Sequence, residues 1–447
     1  MQATSRKFTS GAGTYLGKLR KPPWVLRRSR EILFSFLVVC IYVNYELDPL
    51  LHVYLSQVAT VALFAVACLG WYLARRHRVR RHRPRHRNLF YLTAAAYLVW
   101  RLAESRQDIW FLGDCGKLVI LVLAVTAFWI LGQTTALFPY MCRVLPPMLA
   151  LAIAISIVRG DPSGGLLSHR LRVPELGYAP GLAFVIATTL ALHLYSLAKK
   201  PRLLWYAVLI VLLVGQILAF QKNGVLAATI ILLCYLRNQT MRLGHKVTLA
   251  LTLGAAALFV ITSSLKIEGF HLNQRFTSEN VSYSFEGREQ TWRAWINQAT
   301  GQKAILFGVG LGAIKPVSQG TGYFMRDPHS VYVGMLVDFG VVGLALYCGL
   351  LVAFWKRIGK DPDNLRRALV RGLFWAYVAT GFFDTYWRHS QISWYVGFLF
   401  YLFITPRGQV VAASWARRRG LREPVQKPLL GRHGDPQCDH PALVRGT

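Results

Sequence analysis

About twelve apolar runs, each roughly 15 to 25 residues long and closed by a short polar break, repeat between residues 31 and 405. A helix of about 20 residues, rising 1.5 Å per residue, crosses a hydrocarbon core of about 30 Å. Lipid offers no water to satisfy backbone polar groups, so runs of this kind span as helices. The pattern predicts an all-α polytopic integral membrane protein with about 12 transmembrane helices. Spans are expected at 31–51, 53–73, 88–103, 116–138, 141–158, 178–197, 203–220, 223–236, 246–263, 329–354, 370–384 and 391–405. Composition agrees, since the 447 residues are 54% hydrophobic and 16% charged with mean hydropathy +0.34, too apolar for a soluble chain of this size.

The net charge of +32 follows from this topology. With both ends cytoplasmic, most of the 52 Lys and Arg residues fall in cytoplasmic segments, as the positive-inside rule requires. The Arg-rich run from Arg75 to Arg87 is a loop of this kind, suited to anionic lipid headgroups rather than nucleic acid. The outward loops are nearly neutral, so an outward Arg or Lys is more informative than an inward one. The domain reading is a basic cytoplasmic N-terminus (1–30), nine spans (31–263), an outward loop domain (264–328), three spans (329–405) and a Pro-containing cytoplasmic tail (406–447) expected to be disordered. No small-residue cleavage site follows the basic N-terminus, so the first span reads as a retained anchor. The seven cysteines suggest neither a disulfide framework nor a metal site.

Two outward segments are long enough to fold, Arg159 to Gly177 and Ser264 to Pro328. In the second, Arg288, Trp292 and Trp295 are spaced to share one face of a helix starting near Phe285. That face suits either a charged ligand or an interfacial helix with its tryptophans in the headgroup belt. Gly308-Val309-Gly310-Leu311-Gly312 lacks the Lys-Ser/Thr ending of a phosphate loop and reads as a tight turn. Lys222, in the hairpin Phe220-Gln221-Lys222-Asn223-Gly224, is held at the membrane boundary as a phosphate-binding cation or as a snorkelling turn lysine.

His329 follows Arg326-Asp327-Pro328 at the head of an apolar run, where a neutral imidazole suits a general base and a capping or core role is the alternative. Asp384, in Phe383-Asp384-Thr385-Tyr386-Trp387-Arg388-His389, either orients His329 or Arg288 or pairs locally with Arg388. Asp338 is an intramembrane carboxylate whose depth points to a structural partner.

Outside an energised membrane there is no ATP or nucleotide sugar, so a donor for group transfer must carry its own leaving group. A polyprenyl diphosphate glycan does, and its departing diphosphate needs two or three fixed cations. Lys222, Arg288 and Arg275 are the candidates.

From about Leu218 to Tyr347 the chain resembles the O-antigen ligase and O-antigen polymerase superfamily of bacterial envelope glycosyltransferases. The likeness rests on Gln221-Lys222-Asn223-Gly224, Arg288 with Trp292, the Gly308-x-Gly310 turn, and Pro328-His329-Ser330 leading to Asp338-Phe339-Gly340-Val341-Val342-Gly343. It implies an inner-membrane enzyme with a periplasmic active site. The implied reaction transfers a glycan from undecaprenyl diphosphate to an acceptor hydroxyl, on lipid A core for a ligase, without metal or cofactor. Lys222 and Arg288 would bind the diphosphate, His329 would activate the acceptor, and Asp384 would complete the site, with Arg388 and Trp292 in support. The family usually has Arg at the position of Lys222 and His-Asn at the position of His329-Ser330. A polymerase of the same superfamily, an enzyme glycosylating protein or building an exopolysaccharide, and a twelve-span transporter are the competing readings.

Overall fold

A computed structural model of the protein describes residues 28–43, 46–48, 53–75, 89–105, 109–132, 137–159, 179–199, 201–219, 222–237, 292–297, 299–300, 304–312, 317–318, 324–325, 329–388 and 392–405. Its helices are α1 (Ser29–Tyr42), α2 (Leu55–Arg75), α3 (Leu89–Glu104), α4 (Ile109–Gly132), α5 (Leu137–Arg159), α6 (Ala179–Lys199), α7 (Leu203–Leu218), α8 (Lys222–Leu236), α9 (Val331–Ile358), α10 (Asn364–Thr380) and α11 (Ser393–Ile404). Two small antiparallel pairs, β1 (Glu46–Asp48) with β2 (Val53–Tyr54) and β3 (Val317–Ser318) with β4 (Phe324–Met325), are the strands among the described residues.

Five helices are long and apolar enough to cross a bilayer, over Leu55–Tyr72, Phe111–Gly132, Leu137–Val158, Gly181–Lys199 and Val331–Ile358, and α7, α8 and α11 are shorter apolar helices. Each expected span except 246–263, which lies outside the described residues, coincides with a helix. Three boundaries differ. The span expected at 31–51 stops at Tyr42, because Glu46, Asp48 and Pro49 break the apolar run and the chain turns back as β1–β2. The span expected at 116–138 is α4, seven residues earlier, because Asp114 and Lys117 pair one turn apart at 3.1 Å inside it. The span expected at 370–384 is α10, started earlier by Asp363, whose carboxylate accepts from the backbone N–H of Leu365 and Arg366.

α6 and α11 form the centre, and their side chains are buried almost throughout. Around them, α8 packs against α6 and α10, α4 against α11 and α2, and α5 against α6 and α7. Small residues permit the closest approaches: a Cβ at Gly397 of α11 would fall 2.5 Å from Ala124 of α4, and one at Gly372 of α10 would fall 3.0 Å from the Cα of Ile231 on α8. Large apolar side chains such as Val99, Leu203, Leu204 and Ile210 point outward, as a lipid-facing surface requires.

At the end of α9 and α10 opposite His329, Arg366 is buried over the Phe138 ring and reaches Asp361 at 3.3 Å and the carbonyl of Thr405 at 2.9 Å. Burial pushes the Asp361 carboxyl up, against the pull of Arg366. Burial acts on Asp363 too, but the Arg366 N–H, Lys199 and the Tyr195 hydroxyl outweigh it and hold that carboxyl below its ordinary value.

Candidate functional site

The site is built around the start of α9. Ser330 is its N-cap, with its hydroxyl oxygen accepting from the N–H of Val333. The capping role open to His329 thus belongs to its neighbour. His329 has φ 48°, in the left-handed region that costs a non-glycine residue roughly 1–3 kcal/mol. Its side chain is 37% exposed, so it is not a core histidine either.

The segment after α10 lies alongside. The N–H of Val331 donates to the carbonyl of Gly381 at 2.8 Å, joining the head of α9 to the end of α10. Three residues later Asp384 is buried, and its Oδ1 accepts from the N–H of Thr385 at 2.8 Å and stands 4.0 Å from His329 Nδ1. Among the described residues, Asp384 thus stands against His329, and Arg388 turns to other carboxylates. Arg388 ends a 3-10 turn (Tyr386–Arg388), bonds to the carboxylate of Asp338 on α9 and lies 3.9 Å from Asp114 of α4. Asp338 therefore has the structural partner its depth implied, fifty residues along the chain.

Below His329, α9 is broken. Gly340 has φ 68° and ψ −171°, a conformation nearly exclusive to glycine. The helical bonds Val341→Val337 and Val342→Asp338 are replaced by bonds to the glycine turn at 304–312. Val309 and Gly310 donate to the carbonyls of Val337 and Asp338 at 2.9 and 3.0 Å, and Val341 and Val342 donate to those of Ile305 and Leu306 at 3.0 and 3.2 Å. All four orphaned backbone groups are satisfied, as membrane depth demands. α3 clamps the turn from the other side, where Arg101 donates to the carbonyl of Gly308 at 3.0 Å and Ser105 Oγ accepts from the N–H of Leu311 at 3.0 Å. Tyr97 donates to the carbonyl of Phe339 at 2.5 Å. Gly308, Gly310 and Gly312 all have positive φ, so the expected tight turn is present. Its Val309 and Gly310 N–H groups are engaged with α9 rather than free for a phosphate.

Lys222 begins α8, and the side chain of the next residue, Asn223, reaches the carbonyl of Phe383 at 3.5 Å. The start of α8 thus meets the Asp384 segment, which in turn meets His329. Residues 292–297 are helical, and Trp295 is buried against Ala299 and Val337, with Val309 and Val333 beside it. Trp295 is a packing residue here rather than a headgroup anchor, while Trp292 is half-buried. Arg275, Arg288 and the Arg159 to Gly177 loop from residue 160 onward lie outside the described residues.

Residues 179–348 match the family model described as O-antigen ligase. The chain carries an O-antigen ligase family domain. The matched region starts at α6 and ends within α9, and so contains Lys222, Arg288, the glycine turn, His329 and Asp338. No curated protein matches the chain. Asp384 and Arg388 lie beyond the matched residues and reach the O-antigen ligase region through their contacts with α9. Among the described residues, no three His, Cys, Asp or Glu side chains are grouped to share a metal ion.

Sequence reasoning did not single out Asp114, Lys117 or Arg101, and it read Asn223 only as part of the string around Lys222. Asp114 and Lys117 left a signal, as opposite charges one turn apart at the edge of an apolar run. Arg101, within a short apolar run, left a similar one.

Proposed function

We propose that the protein is a periplasmic-facing O-antigen ligase of the bacterial inner membrane, which transfers a glycan from undecaprenyl diphosphate to a sugar hydroxyl of lipid A core. The observation that carries this reading is the meeting of Asp384 with His329, which lies in the region matched by the O-antigen ligase family, beside the start of α8 where Lys222 stands. Asp384 faces Nδ1 of His329 and favours the tautomer protonated there, which makes Nε2 the basic, proton-accepting nitrogen. Their 4.0 Å separation is long for a hydrogen bond, and catalytic hydrogen bonds commonly tighten only once substrate is bound.

In the reaction, His329 Nε2 takes the proton of the acceptor hydroxyl as that oxygen attacks the anomeric carbon of the donor. The bond from that carbon to the diphosphate oxygen breaks, and undecaprenyl diphosphate leaves with the electron pair. Lys222, Arg288 and Arg275 stabilise the charge that builds on it. Lys222 supplies charge without the planar fork of an arginine, so it binds the diphosphate as a point charge. Asn in the usual family pair and Ser330 here are both strong N-cap residues, so this departure keeps the head of α9 in form.

The test is mass analysis of products after purified protein, wild type or His329→Ala, meets undecaprenyl-diphosphate glycan with and without lipid A core. Glycosylated lipid A core from the wild type alone is the expected result. A longer lipid-linked glycan made without the core would make the protein a polymerase, and no product with any acceptor would remove the transferase reading.

A further inference from the structure

Arg388 is counted above among the supporting cations of the site, yet it is not available to a substrate. Its side chain is 5% exposed, bonded to Asp338 and 3.9 Å from Asp114, and Asp114 is itself paired with Lys117 at 3.1 Å. Four charges from α4, α9 and the 3-10 turn thus form one chain inside the protein. Such a chain is poor value as a stabiliser, because desolvating the ions offsets most of their attraction and apolar side chains of similar volume do as well. What it supplies is a fixed relative position for the three elements.

The position it fixes bears on the reaction. The 381–388 segment has little regular structure of its own, and it is pinned to α9 at two heights. At the top, Val331 donates to the carbonyl of Gly381 at 2.8 Å. At the bottom, Arg388 is held by Asp338, nine residues below His329 and so about 13 Å down the helix axis. A third anchor is Tyr386, fully buried and stacked on Phe184 of α6 with ring centroids 3.9 Å apart. Asp384 lies between these anchors, so its height beside His329 is set by them. Asp338 in turn sits at the helix break, where the glycine turn holds its backbone carbonyl.

We infer that the buried Asp114–Arg388–Asp338 chain is a positioning device, which holds Asp384 in register with His329 for the reaction. This rests on the transferase reading given above. Arg388 is then a positioning residue and not a ligand of the diphosphate.

The experiment is steady-state release of undecaprenyl diphosphate from a lipid-linked glycan donor, with lipid A core as acceptor. The purified full-length proteins are the wild type, Asp338→Asn, Arg388→Lys and Asp361→Asn. Asp361→Asn is the control, because it opens another buried pair, with Arg366, at the far end of α9. Asp338→Asn is expected to lower kcat about 10- to 100-fold while donor KM stays within about twofold, since small misplacements of reacting groups act on the chemical step. Arg388→Lys, which keeps the charge and loses the fork, should fall between it and the wild type, and should remain informative if Asp338→Asn folds poorly. Asp361→Asn should keep kcat near the wild-type value even where its thermal midpoint drops equally. A kcat that follows only the loss of thermal midpoint in all three variants would overturn the inference. So would a raised donor KM at unchanged kcat, which would make Arg388 a donor-binding cation. A wild type that releases no undecaprenyl diphosphate removes the transferase reading itself, and the positioning role with it.

Discussion

Gly340→Ala tests the broken helix most directly. At φ 68° and ψ −171° an alanine is strained by roughly 1–3 kcal/mol before any contact is considered. Its Cβ would also lie 2.3 Å from the carbonyl oxygen of Leu306 and 2.5 Å from the nitrogen of Gly308. Both are backbone atoms, so the glycine turn must retreat and loosen the four hydrogen bonds that replaced the helical ones. At about 0.5–1.5 kcal/mol net for each bond, the loss approaches roughly 3–9 kcal/mol in all. The alternative, straightening α9 into a continuous helix, would restore its internal bonds but shift Asp338 relative to Arg388. The assay is thermal unfolding of the detergent-solubilised protein, with Gly116→Ala as the internal control. Gly116 lies within α4 and a Cβ there meets nothing within 4 Å, so alanine should be neutral or stabilise by up to about 1 kcal/mol. A Gly340→Ala protein with the same midpoint as Gly116→Ala would refute the account of the break.

His329→Gln should lower kcat about 10²- to 10⁴-fold with little effect on donor KM, as expected for loss of a general base, and a KM effect alone would assign His329 to binding. Lys222→Met should raise donor KM and lower kcat, while Lys222→Arg keeps most activity; equal activity of the methionine variant would remove Lys222 from the diphosphate site. Asp363 has a folded-state carboxyl below its ordinary value, so its contribution to stability is present above about pH 4 and is lost as pH falls through the folded value. Asp361 is shifted the other way, so the wild type alone mixes two opposite slopes. Subtracting Asp363→Asn, which keeps the cap, isolates Asp363. The midpoint advantage of the wild type should shrink on acidification from pH 5 to pH 3, and a constant difference would contradict the assignment.

Much of this protein was written locally. Apolar runs long enough to cross a bilayer marked the positions of the helices, because in lipid the backbone must satisfy itself within each segment. The residues carrying the family likeness were legible for a similar reason: Lys222, the glycine turn, His329 and Asp338 each stand in a short, recognisable string. Their convergence depended on packing. Whether Asp384 met His329 or Arg388 was undecidable from a loop containing both partners, and the answer came from Asp338, fifty residues before Arg388 in the chain. The start of α4 moved because a charged pair that looks like a helix boundary is compensated inside the protein. The break at Gly340 was hidden inside an unbroken apolar run, since a glycine there reads as an ordinary small residue until another segment supplies the missing hydrogen bonds. The sequence by itself determined which segments form apolar helices suited to a membrane, a property of each stretch and its solvent. The tertiary structure alone decided which charges pair and where a helix can be interrupted, because both depend on groups that are distant in the chain and adjacent only after folding.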